Sequence, residues 1–446
     1  MMTKRSERAR NSTIGPAPRN GRIANPRAGG RAKLYCRVGG SVVRTPRLAL
    51  ALCAIVSIAL SAASVSAVVH TTADLSATAR SAAADAWKWS GAFNDKAVEL
   101  LILGDIQIHS RRADPTTAFQ LMRDTLKKAD LVYANLEGLL VKSVGTKVDI
   151  PDKPEWTHPG PDGVKGLKAA NIAVVGVANN VASGRDNIMK SLAVLDANGI
   201  AHAGAGRNLD EAHKPAIVTR KGVRIGFLQY TARWYQDKDM IATATEPGVA
   251  KITSLDGITI DSGDLTRLKS DIRALRSRVD IVIVSHHNRD GSTPVQFGSV
   301  RGSSAVGRDR TKTEEYQKQF ARVALDSGAD FVFGHGTHTI QGAEIYNSKP
   351  ILYAIGHSTF DQPGYEKSTD GLVARVVIQG KNILRVSFVP VTRDANNDVY
   401  LLDPSEGEGA KLVQWVKERS ANPPAMRIDG QEVVVMDKAV TSTSNR

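Results

Sequence analysis

The sequence predicts an α/β protein in which two packed β-sheets are covered by helices. Short apolar runs rich in Val, Ile and aromatic residues alternate with helix-like segments, and such runs are typical of buried strands. Early strands alternate with helices, whereas later strands pair through short turns at Asn347-Ser348 and Gly380-Lys381. Both patterns in one chain favour layers of sheet and helix. The length of 446 residues allows one large domain or two to three smaller ones.

The individual elements follow from apolar periodicity and from end signals. Val98–Leu103 opens the main domain as a strand, and Pro at the first turn predicts a helix over Pro115–Ala129. Residues 141–165 and 232–262 lack periodicity and are predicted to be long loops. The remaining predictions are helix Gly163–Ala170, strand Ile172–Ala178, helix Arg185–Asn198, hairpin Ala216–Thr219 with Val223–Tyr230, helix Leu265–Arg276, strand Asp280–Ser285, helix Thr313–Asp326, and hairpins Glu344–Tyr346 with Pro350–Ile355 and Leu372–Ile378 with Ile383–Pro390.

Most of the positive charge lies in the first 67 residues. The formal net charge is +14, and residues 1–67 hold twelve Lys or Arg against the single acid Glu7, which leaves +3 for the rest. The folded part is therefore near neutral, and this argues against a nucleic-acid partner. Residues 1–47 are predicted to be a basic, disordered cytoplasmic segment because they are rich in Gly, Pro and Arg.

An uncharged segment follows the basic stretch and predicts export. Residues 48–69 are long enough to span a bilayer, and Val65-Ser66-Ala67 fits a signal-peptidase site. A cleaved signal peptide and a membrane anchor both remain open, and under either the chain from residue 70 lies outside the cytoplasmic membrane. Residues 70–97 are predicted to be a juxtamembrane linker with a short helix, 98–395 the main domain, and 396–446 a C-terminal helix and tail. The exported part contains no Cys, since Cys36 and Cys53 precede it.

Polar residues follow six of the apolar runs. They are Asp105, Glu137, Asn179-Asn180, His286-His287, the pair His335 and His338, and His357. Ligands of α/β folds bind at the carboxyl ends of strands, and these side chains suit divalent transition ions. The sequence therefore predicts a metal site. Arg185, Arg233, Arg289 and Arg301 are candidate anion binders.

The order of these motifs resembles the CapA family, the poly-γ-glutamate capsule synthesis proteins with a metallophosphatase-like fold. The resemblance rests on Gly104-Asp105, Asn135-Leu136-Glu137, Ala178-Asn179-Asn180, His287 and His335-x-x-His338, and it runs from about Glu99 to about Arg393. It implies a four-layer αββα sandwich behind the N-terminal signal or anchor segment.

The same resemblance implies a function and a ligand set. It implies one or two divalent ions (Mn, Fe or Zn) on Asp105, Glu137, Asn180, His287, His335 and His338, with Glu137 able to bridge two ions. The expected process is biosynthesis or export of a poly-γ-glutamate-type polymer, with that anionic polymer and a membrane synthase complex as partners. The expected chemistry is metal-dependent hydrolysis of a phosphoester or related bond.

Three positions depart from the family pattern. Val181 occupies the place of a His with general-acid or phosphate-orienting duty, Gln107 stands where metallophosphatases carry a His, and His357 stands in place of an Asn. His109 and His357 are the catalytic candidates that replace the missing His, with His158 as a further option. A catalytically weak metal-binding scaffold and a general periplasmic phosphodiesterase are the alternative functions, since fold alone does not decide between them.

Overall fold

The structure is a computed structural model that describes residues 87, 89–91, 93–108, 113–142, 156, 158–234, 239–254, 256–288, 309–361 and 370–438. The predicted segments 1–47 and 48–69, and also His109, lie outside these residues. Within the described ranges, no helix is long and apolar enough to cross a membrane. The described residues between 87 and 97 contain no helix, and most of the predicted linker 70–97, including residues 70–86, lies outside the described residues.

The larger sheet has β1 in its middle. Its strand order is β17-β18-β15-β14-β1-β2-β3-β4, with β13 also paired to β1 and β16 to β15. The central strands β1, β2 and β3 are parallel, whereas β14, β15 and β18 form an antiparallel extension. Its strands are β1 (Val98–Gln107), β2 (Leu131–Leu136), β3 (Ile172–Gly176), β4 (Ala201–Ala203), β13 (His357–Phe360), β14 (Gly371–Gln379), β15 (Asn382–Arg393), β16 (Val399–Leu401), β17 (Arg427–Asp429) and β18 (Glu432–Asp437).

The second sheet has the order β11-β12-β10-β9-β7-β6, and β7, β9, β10 and β12 run parallel within it. A two-stranded ribbon, β5-β8, lies apart from both sheets. The strands are β5 (Ala205–Gly206), β6 (Ala216–Arg220), β7 (Val223–Thr231), β8 (Gly248–Val249), β9 (Ile281–His287), β10 (Phe331–His335), β11 (Ala343–Tyr346) and β12 (Lys349–Leu352).

The helices begin at recognisable caps. Asp114 caps the 3-10 helix Pro115–Phe119, Asp261 accepts hydrogen bonds from two backbone N–H groups of α5, and Glu314 forms a capping box with Gln317 at α6. The helices are α1 (Arg123–Lys128), α2 (Gly163–Ala169), α3 (Arg185–Ala197), α4 (Leu209–Ala212), α5 (Ser262–Arg276), α6 (Glu315–Asp326) and α7 (Gly407–Glu418). The predicted C-terminal helix and tail, 396–446, thus contains α7 and also strands β16 to β18.

Three apolar clusters account for how these elements pack. One cluster contains inward residues of both sheets, and Tyr133 on β2 stacks on Phe227 of β7 with ring centroids 5.3 Å apart. A second joins the other face of the larger sheet to the 3-10 helix and α1 to α3, and a third joins the other face of the second sheet to α5 and α6. The predicted mixed α/β class with more than one sheet is confirmed.

Candidate metal centre

Strand pairing brings the predicted site residues to one place. Asp105, near the carboxyl end of β1, pairs with Asn135 of β2 on one side and with His357 of β13 on the other. In the second sheet, His287 of β9 pairs with His335 of β10. Because both pairs lie at the carboxyl ends of parallel strands, the two sheets contribute to a common centre at that edge.

Asp105 is fully buried and faces two groups of histidines. The first histidine group is Asp105, His287 and His335, and the second histidine group is Asp105, His338 and His357; in each, one ligand atom per residue lies within 4.8 Å of the others. Oδ1 of Asp105 lies 3.3 Å from Nδ1 of His335 and 3.9 Å from Nδ1 of His287. Oδ2 lies 3.6 Å from Nδ1 of His338. The two carboxylate oxygens therefore serve different groups.

The pair His335 and His338 does not converge on a single group. The two imidazoles lie at different oxygens of Asp105, and Nδ1 of His338 also contacts Nε2 of His357. His357, predicted as a catalytic residue, thus lies among the potential metal ligands of the second group.

Glu137 lies beside the second histidine group. Its Oε1 lies 3.7 Å from Nε2 of His338, and its backbone N–H donates to the carbonyl of Ile106. Among the described residues, Asp105 has one oxygen near each group. The expectation that Glu137 bridges two ions stays a prediction.

A hydrogen-bonded network supports the first histidine group. Nδ2 of Asn135 donates to Oδ1 of Asp105 at 2.7 Å, and Nε2 of Gln229 donates to Oδ1 of Asn135 at 2.7 Å and lies 3.2 Å from Nε2 of His335. Oε1 of Gln229 accepts from the backbone N–H of Ala178 at 3.0 Å. These contacts orient the carboxylate and the imidazole before any ligand binds.

Asn180 contacts the same group through His287. Its Oδ1 lies 2.8 Å from Nε2 of His287, so Nε2 donates its proton there and the Nδ1 lone pair faces Nδ1 of His335 at 3.1 Å. Its Nδ2 is buried and has no hydrogen-bond partner among the described residues. Asn179 donates to the carbonyl of Leu136 at 2.8 Å and holds this loop against β2.

Two glycines and one strained histidine allow the loops around Asp105 to approach one another closely. A Cβ on Gly104 would lie 2.1 Å from the carbonyl oxygen of Gly356, so only glycine allows β1 to pass the His357 strand here. Gly336 has φ of +90°, and its Cβ would lie 2.9 Å from the His287 ring. His338 itself has φ of +57°, an uncommon conformation for a residue with a side chain.

The electrostatics of the centre favour an ionised Asp105. Burial alone would raise the pKa of this carboxyl, but the hydrogen bond with His335 and the nearby charges of His335, His287 and His357 lower it below its usual range. The centre thus keeps a carboxylate at neutral pH, as a cation site requires.

Val181 lies in an apolar cluster beside the second histidine group. This apolar wall consists of Trp156, Val181, Met240 and Phe360, and Val181 is fully buried. Phe360 stacks on His357 with centroids 4.3 Å apart and meets His338 edge-on at 5.2 Å. Position 181 therefore packs against aromatic rings and gives no polar group to the centre.

The remaining predicted residues have varied surroundings. His286 points away from the centre and stacks on Phe320 at 4.3 Å, and burial lowers its pKa to about 3. Arg185 pairs with Asp239 and, at 3.0 Å, with Glu246, while Arg233 is buried. Arg289 and Arg301 lie outside the described residues, as does His109.

Gln229 is the site residue that the sequence interpretation missed. It lies inside the apolar run of β7, which the sequence predicts only as one strand of a hairpin. The available signal was the same one that marked the other six positions, a polar residue close to the carboxyl end of an apolar strand.

The donor set fits a divalent metal. Buried carboxylate, imidazole and amide groups converge, and within the described part of the chain the charged neighbours of Asp105 are histidines. Imidazole with carboxylate suits Zn, Mn and Fe. The buried, unpartnered Nδ2 of Asn180 beside His287 further indicates that a ligand completes this edge.

Comparison with known proteins agrees with the motif order. The model of the family described as bacterial capsule synthesis protein PGA_cap matches residues 99–362, more than half of the chain. The PGA biosynthesis protein CapA of Bacillus subtilis is 24% identical over 69% of this chain and 76% of its own length. The capsule biosynthesis protein CapA of Bacillus anthracis is 23% identical over 61% of this chain and 60% of its own length.

A mycobacterial protein has higher identity over a shorter stretch. A probable polyglutamine synthesis accessory protein of Mycobacterium tuberculosis is 30% identical over 48% of this chain and 51% of its own length. The chain thus spans less than two thirds of the Bacillus anthracis relative and about half of the mycobacterial one.

Proposed function

Because this chain belongs to the bacterial capsule synthesis protein family PGA_cap, the CapA family, we propose that it acts in biosynthesis or export of a poly-γ-glutamate-type capsule polymer. The observation that carries the proposal is the buried Asp105, with one oxygen toward each of two histidine groups. Such a centre suits metal-dependent hydrolysis outside the cytoplasmic membrane. The uncharged segment 48–69 supports this location, either as a retained anchor or as a cleaved signal.

The proposed architecture is the four-layer αββα sandwich of the metallophosphatases. The three apolar clusters, one between the sheets and one under each outer set of helices, support it. The anionic polymer is the proposed ligand, and a membrane synthase complex is the proposed partner.

We assign the metal ligands by group. His287 and His335 would hold one divalent ion with Asp105, and His338 and His357 would hold a second with Asp105 and Glu137. Asn180 completes the predicted set beside His287. When bound, Mn, Fe or Zn ions supply Lewis acidity and lower the pKa of water at the site.

The chain's own residues prepare this site. Asn135 and Gln229 keep Asp105 and His335 in register through hydrogen bonds of 2.7 Å and 3.2 Å. The Nδ2 group of Asn180 offers an N–H to an oxygen of the substrate, and the apolar wall excludes water beside His338 and His357.

A non-catalytic scaffold is the second candidate, and the burial of Val181 favours it. A positioned general acid contributes about 10²–10⁴-fold to rate, and valine supplies none of it. A scaffold would bind metal and polymer without hydrolysing either phosphoesters or the polymer.

A metal-dependent assay on the purified protein separates the two candidates. We expect elemental analysis to find divalent metal, and we expect slow hydrolysis of activated phosphodiesters or phosphomonoesters that a chelator abolishes. Metal without hydrolysis would favour the scaffold, and absence of metal even after reconstitution would reject the centre. Loss of capsule polymer on gene deletion would separate a capsule role from a general phosphodiesterase.

The location has its own test. A carboxyl-terminal reporter that works only in the cytoplasm should be inactive, because the domain is proposed to lie outside the membrane. An active reporter would overturn the export claim, and the mass of the mature protein would show whether cleavage follows Ala67.

A further inference from the structure

Trp156, His158 and Pro159 precede α2 and lie near residues of the second histidine group and the Glu137 loop. At one end, Trp156 belongs to the apolar wall and meets Phe360 at 5.8 Å between ring centroids. At the other end, Pro159 contacts Gly138, since a Cβ on that glycine would lie 2.9 Å from Cδ of Pro159. His158 is therefore placed between the aromatic neighbour of His357 and the loop that carries Glu137.

The contacts of His158 determine which of its nitrogens donates. Nδ1 accepts a hydrogen bond from the backbone N–H of Leu139 at 3.2 Å, so the proton of the neutral ring is on Nε2. The side chain is 3% exposed, and Nε2 has no hydrogen-bond partner among the described residues. A buried, unpartnered N–H is costly and calls for a ligand or an ordered water.

We propose that Nε2–H of His158 donates a hydrogen bond to an oxygen of the phosphoester-type substrate and so takes over the orienting duty that Val181 lacks. This inference rests on the proposed metal-dependent hydrolysis. Among the described histidines of the centre, His287, His335, His338 and His357 are held in the two groups and His286 faces away, which leaves His158 as the donor.

The role is that of a neutral donor rather than an acid. Burial lowers the pKa of His158 to about 4, so the ring stays uncharged at neutral pH. A neutral imidazole N–H stabilises negative charge that develops on an oxygen without transferring its proton. A weak rate is consistent with this, because the leaving group then receives no proton from a side chain.

Two variants separate a donor from a packing residue. His158→Phe keeps a buried ring and removes the N–H, whereas His158→Gln keeps an amide N–H. We expect His158→Phe to lower kcat for an activated phosphodiester about tenfold to a hundredfold with KM and metal content unchanged, and His158→Gln to restore part of kcat. His202→Gln, on β4 in the larger sheet, is the matched control and should leave kcat unchanged. Unchanged kcat in folded, metal-loaded His158→Phe would overturn the proposal.

A measurement on the unsubstituted protein avoids dependence on variant folding. In the zinc-loaded full chain with ¹⁵N-labelled histidine, NMR should show His158 protonated at Nε2 alone, and inorganic phosphate should move that proton downfield. Protonation at Nδ1, or no shift at saturating phosphate, would reject the donor role. Absence of bound zinc would instead reject the proposed metal centre, and phosphate titration of the metal-free chain would still decide on His158.

Discussion

The two histidine groups share one carboxylate but are held by different forces. The first histidine group lies in a hydrogen-bonded network in which Asn135, Gln229 and Asn180 contact Asp105, His335 and His287. The second histidine group is bordered by aromatic rings, and Phe360 contacts both of its imidazoles. Amide donors and acceptors orient the first group, whereas in the second group aromatic packing accompanies the contact between Nδ1 of His338 and Nε2 of His357.

These different contacts predict which substitutions disturb each group. Hydrogen bonds orient ring nitrogens and select tautomers, so loss of one polar partner should disturb the first group. Aromatic packing fixes ring position without selecting a tautomer, so the second group should depend more on volume and on the strained loop at His338. Substitutions chosen for each force can therefore break one group while sparing the other.

Removal of the shared carboxylate should have the largest effect. Asp105→Asn removes the one side chain that both groups share among the described residues, so we expect at least about 100-fold weaker binding of metal at each. Elemental analysis and metal titration of the folded protein measure this. Asp130→Asn, at the opposite end of β2, is the control and should bind metal normally. Full occupancy in Asp105→Asn would show that the groups do not share this ligand.

Single histidine substitutions should each remove metal from one group. His335→Ala is expected to remove metal from the first group alone, and His338→Ala from the second alone, because these imidazoles face different oxygens of Asp105. The double variant should lose nearly all metal. Stoichiometry from elemental analysis is the readout. If either single variant already lost everything, the two groups would form one site.

Substitution of Gln229 should test the hydrogen-bonded network separately from the aromatic packing. Gln229→Leu leaves Asn135, His335 and the Ala178 N–H without this partner, so we expect about tenfold to 100-fold weaker metal binding at the first group. Unfolding in urea should show a loss of about 1–3 kcal/mol. Phe360→Leu is the matched change at the second group. Equal losses of first-group affinity in both variants would contradict the comparison.

A histidine at position 181 should have the smallest effect on the centre. Val181 packs against Trp156, Met240 and Phe360, so Val181→His is expected to lower stability by about 1–3 kcal/mol with metal content unchanged and no gain in rate. Val181→Ala distinguishes the effect of volume from that of polarity. A faster hydrolysis by Val181→His would mean that this wall opens toward the substrate.

Much of the fold was predictable because its signals are local. Helix Arg185–Asn198 and strand Ile172–Ala178 were predicted within two residues of α3 and β3, since apolar periodicity and Gly199 mark them. The residues of the centre were also predictable, because polar side chains at the ends of apolar strands stand out. Gln229 was missed since one polar residue inside an apolar run looks like part of a strand.

The α/β class, the family and the candidate ligands follow from the sequence alone, because apolar periodicity and motif order are properties of neighbouring residues. The tertiary structure shows which of these candidate ligands belong to each histidine group. Strand β13 begins about 250 residues after β1 and pairs His357 with Asp105, and this pairing brings His357 into the second histidine group. Contacts between distant segments determine which oxygen of Asp105 lies near which imidazole. They also place Val181 against aromatic rings, and no local sequence pattern encodes these contacts.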